Sequence, residues 1–116
     1  MNIQTFYEMV GGNYSEVMSR LVTEQRVKKY LLKLPGTGDF DGAVNAWKAQ
    51  EWEDLFRFTH NIKGISLNLG LTELASAASD ACELVRHGAP ETSPDAAMEK
   101  LKKIYTLVCD SVELLD

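Results

Sequence analysis

The chain has 116 residues, 45% apolar and 25% charged, with a net charge of −5, which is the size and make-up of one globular domain over residues 1–116. Such a chain buries roughly two-thirds of its unfolded surface, so folding requires neither metal nor disulfide, and the acidic balance excludes a general nucleic-acid binder. No apolar run reaches the ~18 residues of a membrane span and "MNIQTFYEMVGGN" lacks the charged and apolar regions of a secretion signal, so a cytoplasmic location is expected.

Asn2 is placed to cap a short helix whose Ile3, Phe6, Tyr7 and Val10 follow the i, i+3, i+4, i+7 pattern. Gly11-Gly12 ends it. Asn13 with Glu16 resembles a capping box and predicts a longer helix running to about Lys33, with a less regular stripe of Val17, Leu21, Val27, Leu31 and Leu34. "PGTG" (Pro35 to Gly38) is a turn. A third helix starts at Asp39 or Asp41, with Phe40, Ala43, Val44 and Trp47 on one side, and leads through a brief break near Gln50-Glu51 into a central helix. Glu51, Glu53 and Asp54 suit that helix's positive N-terminal end, and Gly70 suits its termination. Thr72 and Glu73 open the next helix, with inner face Leu74, Ala77, Ala78, Ala81 and Val85, ending at His87-Gly88. Ser93 as cap and Pro94 at the first helical position start the last, with Met98, Leu101, Tyr105, Val108, Val112 and Leu115 as its seam.

No segment alternates as a strand does. The expected fold is all-α, an up-and-down four-helix bundle with a short N-terminal capping helix and a short helix leading into the central one. Cys82 and Cys109 lie 27 residues apart without metal or redox spacing and are expected to be small apolar residues in a reducing compartment.

The central stretch "FRFTHNIKGISLNLGL", Phe56 to Leu71, carries a glycine where a helix interior loses about 1 kcal/mol relative to alanine. At about 100° per residue, Leu55, Thr59, Ile62, Ser66 and Leu69 share one arc, the core face, with Phe58 and Ile65 at its edge. Phe56, His60, Lys63 and Leu67 form a second, narrow face pointing away from it. His60 is therefore predicted to be exposed. Gly64, one turn after His60, removes the side chain that would shade the imidazole.

A largely neutral imidazole is a good nucleophile near pH 7. No carboxylate lies at i±3 or i±4 from His60 to make it a general base; Lys63 at i+3 instead favours an anionic group on the ring. These features fit phosphoryl transfer, in which positioning and charge stabilisation do most of the work. The same residues also fit a solvated histidine, a solubilising lysine and a glycine kept for helix packing. Physical chemistry alone leaves both readings open.

"HNIKGISLNLGL" resembles the signature of histidine phosphotransfer (HPt) domains, carried here by His60, Lys63, Gly64, Ser66, Leu69 and Gly70. "GGNYSEVMSRLVTEQ" and "DFDGAVNAWKAQEWEDLFRFTH" also resemble the family's opening and its entry to the histidine helix, so the likeness covers nearly all of the chain. The resemblance implies that His60 is phosphorylated, that Lys63 assists the phosphoryl group and that Gly64 leaves room for a partner. It implies partners that are response-regulator receiver domains or a hybrid sensor histidine kinase, with Mg²⁺ held by the receiver and no cofactor here. Ile65 departs from the pattern, standing where the family usually has a small residue.

Phe56 and Leu67 are expected to form the apolar part of a docking surface, with Arg57 and Lys63 meeting the receiver's acidic pocket and Lys28 and Lys29 as a further rim. His87, beside Gly88, is read as complementing a helix dipole. No phosphate-binding glycine loop occurs, so an ATP site is not expected and the protein is read as a stoichiometric carrier, not an enzyme. A monomer is expected, and the initiating Met1 and single-domain length favour a stand-alone carrier over a module of a larger sensor kinase. The competing readings are a helical adapter that binds receivers or a kinase without phosphotransfer, and a metal site built from His60, His87 and the cysteines, which no spacing supports.

Overall fold

The computed structural model describes all residues, 1–116. The chain is helical throughout, with no strand: α1 (Ile3–Met9), α2 (Tyr14–Leu21), α3 (Glu24–Lys33), a 3-10 turn (Leu34–Thr37), α4 (Asp39–Ala49), α5 (Trp52–Asn68), α6 (Thr72–Leu84) and α7 (Asp95–Val112). Helix α5 packs against α4 and α6, and α6 against α7. Two side-chain links close α4 onto α7: Trp47 Nε1 donates to Asp95 Oδ1 at 2.8 Å, and the Phe40 and Tyr105 rings stack at 4.1 Å.

Local chemistry sets the helix ends. Asn2 Oδ1 accepts from Thr5 N at 2.8 Å and Asn13 Oδ1 from Glu16 N at 3.0 Å, so each asparagine satisfies an otherwise unpaired first-turn donor. The expected single helix from Asn13 to Lys33 is two helices. Val22 takes a left-handed φ of 72°, and Thr23 Oγ1 restarts the chain by accepting from Arg26 N at 3.2 Å. The missing turn explains the irregular stripe: Leu21 and Val27 lie six apart, out of phase for one continuous helix. At α7, Pro94 is the cap and Asp95 the first helical residue, one later than expected, with Ser93 Oγ accepting from Asp95 N at 3.2 Å.

The core runs the length of the chain. From α1 it takes Ile3, Phe6 and Tyr7, from α5 Leu55 and Ile62, from α6 Leu74, Ala77, Ala78 and Ala81, and from α7 Met98, Leu101, Tyr105 and Val108. Burying one large aliphatic or aromatic side chain contributes about 1.5–3 kcal/mol. The alanine face of α6 lets α5 approach closely, and so aligns the two helices that form the site.

Helix α5 ends in a paired motif around Gly70, whose φ is +66°. Leu71 N bonds to Ser66 O at 2.8 Å and Gly70 N to Leu67 O at 3.2 Å. A Cβ on Gly70 would lie 2.8 Å from Asn13 O, so both the backbone conformation and the close approach demand glycine.

Candidate functional site

The inward side of α5 is the predicted one: Leu55, Thr59, Ile62, Ser66 and Leu69 are all buried, while Phe58 and Ile65 are half-buried at the edge. Thr59 Oγ1 is satisfied by Leu55 O at 2.7 Å and Phe56 O at 3.1 Å; Ser66 Oγ has no partner. These residues lock the rotation of α5 and force His60 outward. His60 is exposed, and its ring makes no hydrogen bond to any other group of the protein.

The second face is only partly open. His60 and Leu67 are exposed, whereas Phe56 and Lys63 are half-buried, and the end of α6 covers Phe56. The Phe56 ring lies against the His60 ring at 5.8 Å between centroids and 17° from parallel. Arg86, in the turn after α6, sets its guanidinium carbon 5.4 Å from the Phe56 centroid. Beneath, Cys82 Sγ lies 3.8 Å from Phe56 O, so Phe56 serves as a backing plate for the imidazole as well as an apolar rim.

Charge around this stack comes from two helices. Arg86 donates through Nε to Glu83 Oε2 at 2.9 Å and through Nη2 to Glu83 Oε1. That bond holds the Glu83 carboxyl below the usual range, with the nearby charges of Arg86, Lys63 and His87 adding to the effect and desolvation opposing it. Arg57 is turned away: it is exposed, pairs with Asp54 at 3.3 Å and covers the Phe58 ring at 4.4 Å.

Gly64 is exposed, and a Cβ built on it meets nothing within 4 Å. Helix packing does not require glycine here, in contrast to Gly42, where a Cβ would meet the Phe58 ring at 2.6 Å. Of the outlying residues, Lys28 is held by Asp116 O, Lys29 is exposed, and His87 sits exposed in the turn after α6. Cys82 is buried and Cys109 half-buried, both as free thiols, and burial raises the Cys109 thiol above its ordinary range. No three His, Cys, Asp or Glu side chains converge as a metal site. A concavity of about 470 Å³ between Leu21, Tyr30, Leu34, Ile65 and Leu69 is not lined by Phe56, His60, Lys63 or Gly64. The histidine stands exposed on the outward face of α5, within reach of a macromolecule.

Sequence reasoning did not find Glu83 and Arg86. Their spacing reads as an ordinary i, i+3 surface pair, and only the approach of α6 to α5 brings the pair, through Arg86, to Phe56.

Comparison with curated proteins and with solved structures returned no match. No helix is long and apolar enough to cross a membrane. The family model described as Hpt domain matches residues 36–111, which include His60, Lys63, Gly64, Glu83 and Arg86 and make up more than half of the chain. The chain therefore belongs to the Hpt domain family, the phosphocarriers of phosphorelay signalling.

Proposed function

We propose that His60 is the residue that carries the phosphoryl group, accepting it from and returning it to an aspartate of a response-regulator receiver domain. The observation that carries this reading is the state of the imidazole: exposed, free of internal hydrogen bonds, held flat against Phe56, and next to an open space at Gly64. In the forward step the lone pair of one ring nitrogen attacks phosphorus. The N–P bond forms as the P–O bond to the aspartate breaks, and the leaving carboxylate takes the electron pair. The second nitrogen keeps its proton, so no general base is needed, and return of the group reverses the same bonds. Lys63 supplies positive charge for the transferring oxygens. The protein turns over nothing alone and needs no cofactor of its own, and its setting is the cytoplasm, as a monomer.

The four helices α4 to α7 are read as the up-and-down bundle that presents α5, supported by the successive packing of α4, α5, α6 and α7 and by the Trp47–Asp95 and Phe40–Tyr105 links. Leu67, exposed next to the site, is the apolar docking residue this arrangement favours, with Phe56 supporting the ring from behind.

Incubation with a receiver phosphorylated on its aspartate should label the wild type and His87→Gln, and leave His60→Gln unlabelled. Labelling that persists in His60→Gln, or is absent from the wild type, refutes the assignment. Receiver binding retained by His60→Ala with no transfer by the wild type would establish the adapter reading instead.

A further inference from the structure

With His60 as the phosphorylated residue, the ion pair bordering its aromatic support requires explanation. Glu83 takes two hydrogen bonds from Arg86, the cation that lies over the Phe56 ring, and the charges of Lys63 and His87 also act on it. A negative charge at that edge of the site opposes the modification the site exists to carry. Its effect depends on where Arg86 goes. The guanidinium is 5.4 Å from the Phe56 centroid, and that ring is 5.8 Å from the His60 ring, so the cation and the imidazole border the same aromatic side chain. Arg86 lies beyond the last residue of α6, in the turn that follows, on a long side chain that can swing without disturbing the helix. Both partners of the pair are partly exposed, at 43% and 51% of their side-chain surface, so water already competes for it.

We infer that Glu83 is a resting-state stand-in for the phosphoryl group: it holds Arg86 in a two-pronged pair beside the Phe56–His60 stack and yields it when His60 is phosphorylated, so that Arg86 joins Lys63 on the new anion. A phosphoryl group carries nearly two negative charges near neutral pH and presents three acceptor oxygens, and a guanidinium grips two of them at once. It therefore displaces a single exposed carboxylate. The exchange sets how firmly the carrier holds its cargo: Arg86 stabilises the loaded form, and Glu83 limits that stabilisation so the group can leave again.

The test uses the full chain, phosphorylated by phosphoramidate, whose P–N bond breaks with release of ammonia as the N–P bond to the imidazole forms. The phosphorus resonance of the product is titrated to give the acid constant of the phosphoryl group, which a neighbouring cation increases. Arg86→Gln should decrease that constant about two- to fivefold, and Glu83→Gln should increase it by a similar factor. Simple repulsion by Glu83 would persist without Arg86. Exchange predicts that Glu83→Gln has no effect in the Arg86→Gln background. An unchanged constant in Arg86→Gln, or an equal effect of Glu83→Gln with and without Arg86, overturns the exchange while leaving His60 as the carrier. A phosphorus signal that survives in His60→Gln overturns the His60 assignment and the exchange with it.

Discussion

Replacing Gly64 separates two demands placed on α5, continuity of the helix and access to the imidazole. Gly64 is interior to a helix running from Trp52 to Asn68, where glycine is about 0.8–1 kcal/mol less favourable than alanine. A Cβ there meets no atom within 4 Å, so no steric penalty offsets the gain. With an unfolding entropy of about 2.1 cal/mol/K per residue, the 116 residues give about 240 cal/mol/K. Gly64→Ala should therefore raise Tm by about 4 °C, and Gly64→Gln, a nearly equal helix former, by slightly less. Helical side chains lean over the turn that precedes them, so glutamine at this position projects toward His60. Phosphotransfer from a receiver should slow about tenfold or more in Gly64→Gln and much less in Gly64→Ala, since small displacements of a reacting group carry large rate penalties. Thermal unfolding followed by circular dichroism, together with transfer kinetics, reads both effects. Normal transfer by a stabilised Gly64→Gln variant, or destabilisation of either variant, would refute the clearance argument.

Tyr7 donates to Leu69 O at 2.5 Å in a buried bond, so Tyr7→Phe should reduce unfolding free energy by about 1–2 kcal/mol in urea titration. Burial raises the Tyr7 phenol, so the unfolded chain loses this proton first. Its stability contribution is complete below the ordinary pKa of about 10 and is lost as pH rises above it. Tyr7→Phe should flatten that alkaline decline, leaving the part due to Tyr105, whose phenol is also raised, chiefly by burial. An equally steep decline in the variant counts against the burial argument. Leu67, 48% exposed, should tolerate alanine within about 0.5 kcal/mol of stability while receiver affinity falls by about 1–3 kcal/mol; unchanged affinity by calorimetry removes it from the docking surface. Gly70→Ala combines a φ of +66° with a Cβ 2.8 Å from Asn13 O and should destabilise by about 1–2 kcal/mol or more, the reverse of Gly64→Ala.

The buried side of α5 and the helices other than α2 and α3 were legible because their apolar residues recur with a regular period. Leu55, Thr59, Ile62, Ser66 and Leu69 fall where the helical wheel puts them, and the outward direction of His60 follows from the same geometry. Gly64 was ambiguous in one dimension, since a packing glycine and an access glycine look alike until the surrounding space is known. The restart at Thr23 was missed because a β-branched residue, Val22, rarely adopts a positive φ, and nothing local announces it. Glu83 and Arg86 were illegible for a different reason. Their meaning depends on the lateral approach of α6 to α5, a relation between helices that neither helix's period encodes.

The first thirty-five residues lie outside the matched family region, yet they terminate the histidine helix. Tyr7 holds Leu69 O, Asn13 N holds Gly70 O at 2.8 Å, and Arg20 Nη1 reaches the carbonyls of both Leu67 and Asn68. Four consecutive carbonyls at the end of α5 are thus served from a remote part of the chain, Leu67 O in addition to its bond from Gly70 N. Trimming the protein to the recognised family region would strip that cover and let the helix fray backwards from Gly70, and the first turn to loosen would be the one bordering Gly64. The boundary of the family match and the boundary of the working mechanical unit are different places on this polypeptide.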